Sequence, residues 1–160
     1  MNLDPADNIL SLNRCSYLEE RSILLIMSIM KWSEDLSVQV KEIDQQHQRL
    51  IDLINKLHEA MLAKQGKQVV SQIIDELAAY TVYHFQAEEK YMQQFKYIGY
   101  LTHKKEHEGF VQEVEKFQTD FNAGKLGLSI EIMNFLRDWV TRHIKGTDKQ
   151  YSSVFKENGL

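Results

Sequence analysis

One stretch narrows what this chain can fold into more than any other. It runs from His84 to His107, HFQAEEKYMQQFKYIGYLTHKKEH, and holds two pairs of potential ligands: His84 with Glu88, and His103 with His107. Residues four apart lie one above the other on the same face of an α-helix. Each pair can therefore aim two donors in one direction. His47, in IDQQH upstream, and His143, in HIKGTD downstream with Asp148 five residues on, extend the set. A lone histidine on an apolar face is most often a satisfied core residue. Five of the six histidines, each in a helix-like segment near an apolar stripe, point instead to a metal site inside a helical bundle.

Little in the chain interrupts long helices, since its 160 residues include one proline and seven glycines. That length suits one domain with a real core. A net charge of −4 argues against a nucleic-acid footprint. With a single cysteine, Cys15, no internal disulfide can form, and the expected location is cytoplasmic. Zinc fingers and iron–sulfur clusters need several thiolates, so any metal here is held by imidazole and carboxylate.

Apolar residues at three- and four-residue spacing predict four helices, over about 41–64, 68–93, 101–122 and 129–145. The first carries His47 in its stripe. His58 lies about 16 Å further along the same axis, too far to share a site with it. The second places Glu88 on the inner face, where a glutamate needs a partner or a metal. Glu89 and Lys90 beside it read as solvated charges. The third turns His103 and His107 inward and leaves Lys104, Lys105, Glu106 and Glu108 outside. Ser129 is the expected N-cap of the fourth and Gly146 its expected C-cap, with Asp148 turning back toward His143. Residues 149–160 are expected as a short tail or a last helical turn.

The expected architecture is all-α, an antiparallel up-down-up-down four-helix bundle with an N-terminal extension. Residues 1–30 are expected as a loosely ordered extension and 31–160 as the four-helix domain. Apolar Ile23–Met30 is too short to span a bilayer, which takes about 20 residues. Its sharper alternative is docking to a membrane or a partner. Antiparallel alternation brings the start of the first helix, the end of the second, the start of the third and the end of the fourth to one end of the bundle. His47, His84, Glu88, His103, His107, His143 and Asp148 converge there.

Seven such donors are too many for one ion and suit two, with the carboxylates bridging. Imidazole and carboxylate suit iron, zinc, copper or manganese. Oxygen-activating di-iron enzymes use carboxylate-rich sets with a Glu-x-x-His pattern, which the inner faces lack. A histidine-rich set favours reversible O2 binding over oxygenation. Phe85, Val140 and Ile144 would keep water away from bound O2.

In that order, IDQQH, HF-x-x-E-E-x-x-M, H-x-x-x-H and HI-x-x-x-D resemble the hemerythrins, in particular the bacterial single-domain hemerythrins, over residues 31–150. The resemblance implies two irons with a bridging oxo or hydroxo group. It places His103, His107 and His143 on one iron, His47 and His84 on the other, and Glu88 and Asp148 between them. O2 would bind at the His47/His84 iron, and Trp139 would line the pocket side of the fourth helix. The implied protein is an O2 binder rather than an enzyme, a monomer without nucleic-acid partner or membrane span. The alternatives are a di-iron enzyme acting on peroxide or nitric oxide, and a sensor module.

Overall fold

Four long helices carry the apolar stripes. The computed structural model describes residues 28–125, 127 and 129–160. Helix α1 spans Lys41–Leu62, α2 Lys67–Gln94, α3 Tyr100–Asn122 and α4 Ile130–Arg142, with a short α5 at Ser152–Glu157. They form the expected all-α, antiparallel four-helix bundle, and no strand occurs among the described residues. No described helix is long and apolar enough to cross a membrane.

Periodicity explains the packing. On α1, Ile43, Leu50, Ile54 and Leu57 keep a three- and four-residue spacing, with His47 filling the step between Ile43 and Leu50, and are almost wholly buried. Each such side chain contributes about 1.5–3 kcal/mol by leaving water. On α2 the stripe runs Val70, Ile73, Ile74, Leu77, Thr81, His84, Phe85, Glu88, Met92. It is apolar for its first half and turns polar in the second without leaving the core. Thr81 absorbs the first polar step by donating its hydroxyl to the Leu77 carbonyl, 2.8 Å away.

Before α1 the chain is pinned across the bundle end. Leu36, Val38 and Val40 are buried. The Asp44 carboxylate accepts from the Val38 N–H at 2.8 Å and from the Ser37 hydroxyl at 2.6 Å. Met30 belongs to this anchored part: it is 6 % exposed, and its backbone exchanges two 3.0 Å hydrogen bonds with the Asn55 side chain. Residues 1–27 of the expected extension, including Ile23–Met27, lie outside the described residues.

The end of α4 departs from expectation. Gly146 does not cap the helix. From His143 to Thr147 the chain widens into a π turn, with the Asp148 N–H donating to the His143 carbonyl, five residues back. In a 3.6-residue helix, five residues overshoot one turn by about 140°. The wider i→i+5 turn brings Asp148 back beneath His143. A 3-10 turn, Asp148–Gln150, then leads into α5. This tail is not peripheral, because Tyr151 and Phe155 are fully buried.

Candidate metal centre

The seven predicted residues meet at one end of the bundle, all buried: His47, Glu88 and Asp148 are 0 % exposed and the other four at most 5 %. His58 stays apart, half-buried on α1. Donor atoms fall into two groups, Glu88–His103–His107–His143–Asp148 and His47–His84–Glu88.

In the first group, His107 Nε2 stands 2.9 Å from His103 Nε2 and 3.0 Å from His143 Nε2. Each facing pair can share at most one proton. A cation answers this arrangement better. Metal–imidazole bonds are about 2.1 Å, so two donors at right angles sit about 3.0 Å apart, against about 3.4 Å at a tetrahedral angle. The spacing is close to that of donors set at right angles about one ion. Glu88 Oε2 lies 3.2 Å from His107 Nε2, and Asp148 Oδ1 lies 3.2 Å from His103 Nε2 and 3.1 Å from His143 Nε2.

The other oxygen of each carboxylate turns to the second group. Glu88 Oε1 is 3.5 Å from His47 Nε2 and 3.7 Å from His84 Nε2, and Asp148 Oδ2 is 3.2 Å from His47 Nε2. Both carboxylates therefore lie between the groups, one oxygen to each. Counting the Asp148 oxygen that faces His47 alongside His47, His84 and Glu88, the second group offers four donors against five in the first.

Electrostatics point the same way. His47 Nε2, Glu88 Oε2 and both Asp148 oxygens are buried without a hydrogen-bond partner. Burial works against the charge on Glu88, yet the imidazoles of His84, His103, His107 and His47 hold it well below the usual carboxylate range. Burial and Glu88 likewise oppose the charge on Asp148, and His143 and His103 outweigh them. Burial disfavours protonated His47 and His103, but Asp148 and Glu88 push each up to about 9. Burial dominates at His84 and lowers it to about 4. Two buried carboxylates thus demand positive charge, which protons or metal ions can supply.

Comparison with known proteins decides what this geometry belongs to. Residues 38–154 match the model of the hemerythrin HHE cation binding domain. The chain belongs to the hemerythrin family. It is 36% identical over 130 residues to bacteriohemerythrin of Stenotrophomonas maltophilia, covering 81% of this chain and 84% of that one. Bacteriohemerythrin of Methylococcus capsulatus is 33% identical over 126 residues, 78% of this chain and 95% of that one. A crystal structure of wild-type hemerythrin superposes with a TM-score of 0.76 at 32% identity, over 79% of this chain and 98% of that one.

Around this hemerythrin centre stand four residues that sequence reasoning passed over. Gln46 Oε1 faces His84 Nδ1 at 3.1 Å. Glu89 Oε1 faces His107 Nδ1 at 3.1 Å and Glu106 Oε2 faces His143 Nδ1 at 2.9 Å. An oxygen acceptor at Nδ1 keeps the proton there and leaves the Nε2 lone pair aimed inward. Glu89 and Glu106 are thus not merely solvated charges. The fourth is Tyr151, whose hydroxyl donates to Glu88 Oε1. Burial, with the charges of Asp148 and Glu88, holds that phenol well above its ordinary value, so it keeps its proton.

Proposed function

We propose that this hemerythrin binds two iron ions through His47, His84, Glu88, His103, His107, His143 and Asp148, and uses them to bind O2 reversibly. One observation carries the reading: each buried carboxylate gives one oxygen to each histidine group, and the two-histidine group is one donor short. That asymmetry fits a pair in which His103, His107 and His143 anchor one ion and the His47/His84 side keeps a place for a small ligand. When bound, the irons would supply the electrons that reversible binding of O2 draws on.

The chain's own residues do the rest. Glu89, Glu106 and Gln46 fix three imidazoles in the ligating tautomer. Phe85 stacks flat on His107, with ring centroids 3.7 Å apart and planes within 3°. With buried Val140 and Ile144 it keeps water from the centre. Tyr151 holds a proton at Glu88 Oε1, on the side facing the two-histidine group. The reading is of a binder rather than an enzyme, acting as a monomer in the cytoplasm; the relatives named bacteriohemerythrin support the binder, and the single cysteine fits the compartment.

An anaerobic titration tests it. Ferrous iron is loaded, O2 admitted, then purged, with the visible spectrum followed throughout. The expected result is about two irons per chain and a charge-transfer band that appears with O2 and leaves on purging. Iron that oxidises once and stays oxidised would replace O2 carriage by the peroxide or nitric oxide reading.

A further inference from the structure

The turn joining α2 to α3 has no part in the metal centre proper, yet it is built with care. Lys96 takes a left-handed backbone conformation, φ 53°. Gly99 follows, and a Cβ there would sit 2.6 Å from the Tyr97 ring. These two positions let Tyr97 fold inward, where its ring meets Tyr151 edge to face at 6.4 Å. Folding Tyr97 in leaves its neighbour at the apex. Ile98 is 100% exposed, and Leu101, on the first turn of α3, is 71% exposed. Two large apolar side chains held outward within one turn of each other form a small exposed apolar patch.

Charge narrows the partner. From Lys90 to Lys105 the chain has four lysines, Lys90, Lys96, Lys104 and Lys105, and no acidic residue, although the whole chain carries −4. Lys104 is paired with Glu89 at 3.1 Å and Glu108 at 3.3 Å. Lys96 and Lys105 are exposed and form no ion pair with any described residue. Lys105 lies one turn beyond Leu101 on the same face of α3. Half-buried Tyr100 flanks the apex, its hydroxyl accepting from Gln93 at 2.8 Å. Apolar apex, amphipathic tyrosine and free lysines follow the order found where a protein rests in a lipid headgroup layer. A convex tip of two apolar residues is too small for a stable protein interface, which takes roughly 1,000 Å² or more. It suits a surface that deforms around it.

We propose that the α2–α3 turn is a peripheral membrane contact, with Ile98 and Leu101 entering the acyl boundary of an anionic bilayer and Lys96 and Lys105 meeting its phosphates. Such an anchor is weak and salt-sensitive.

Co-sedimentation of the full iron-loaded chain with vesicles of phosphatidylcholine and phosphatidylglycerol tests this. The wild-type chain pellets at low salt and is released at high salt. Ile98→Asp reduces the bound fraction at least about tenfold, as expected for losing one large apolar group from its burial. Its iron content and thermal midpoint match wild type, since Ile98 touches little else. Leu25→Asp, in the apolar run before residue 28, leaves binding unchanged. A wild-type chain that stays in the supernatant overturns the proposal. So does equal binding by Ile98→Asp, or loss of binding confined to Leu25→Asp. Tip-dependent capture of a protein without vesicle binding would assign the turn to a protein partner and also overturn it.

Discussion

The three-histidine and two-histidine groups share Glu88 and Asp148 but are supported differently. Behind the first stand two anions: Glu89 at His107 and Glu106 at His143. Behind the second stands a neutral amide, Gln46 at His84. A carboxylate at Nδ1 makes an imidazole more basic and a stronger donor than an amide does. Aromatic stacking adds to the difference at His107 and His143. Phe85 lies flat on His107, and Trp139 stacks on His143 at 4.3 Å, whereas His47 and His84 meet edge to face. On the proposed reading, the difference suits the first group to holding an ion firmly and the second to leaving one responsive.

Removing a ligand is the largest disturbance. His103→Ala takes away an imidazole flanked by both carboxylates, and His84→Ala one of only two in its group. Both should lose most of their iron. Stability should fall by about 1–3 kcal/mol for each buried polar group left unpaired, seen as a lower thermal midpoint. His103→Ala is the worse of the two. Wild-type iron content in either variant would end the ligand assignment.

Exchanging the supporting charges is the more pointed trial. Glu106→Gln should weaken metal retention by about tenfold or more, measured as iron lost to a chelator, and raise the reduction potential. Gln46→Glu should do the opposite at the other ion. If the two variants behave alike, the difference between the groups does not come from these partners.

The smallest effect is expected at Tyr151. Tyr151→Phe keeps the ring, which stacks on Phe155 at 4.2 Å, and loses the hydroxyl that reaches Glu88. A cost of about 1 kcal/mol is expected, with iron content intact. The O2-dependent band should shift or decay faster, because only the side of Glu88 facing the two-histidine group has changed. An unaltered spectrum would reduce Tyr151 to a packing residue.

Much of this was visible in the residues alone. Apolar spacing gave the four helices to within a few residues, and the helix order predicted one end for all seven donors. The supporting residues were hidden for physical reasons. Glu89 and Glu106 sit in charge runs whose local pattern is that of a wet face; only a neighbouring helix brings a histidine against them. Glu106 reaches His143 across thirty-seven positions of chain. Tyr151 was hidden because the tail looked short and polar, and nothing local foretells a π turn that sends it inward.

That turn makes the stretch from His143 to Asp148 behave as a ruler. Surface loops tolerate changes of length, and the connection between α1 and α2 contains nothing that register would disturb. Here a one-residue insertion, or a return of these residues to ordinary helical pitch at the present spacing, would swing the carboxylate around the axis, away from His143. An insertion within these six residues is therefore equivalent to losing a ligand, even when every ligand remains in the chain. Engineering that grafts this centre onto another bundle must copy the spacing along with the side chains.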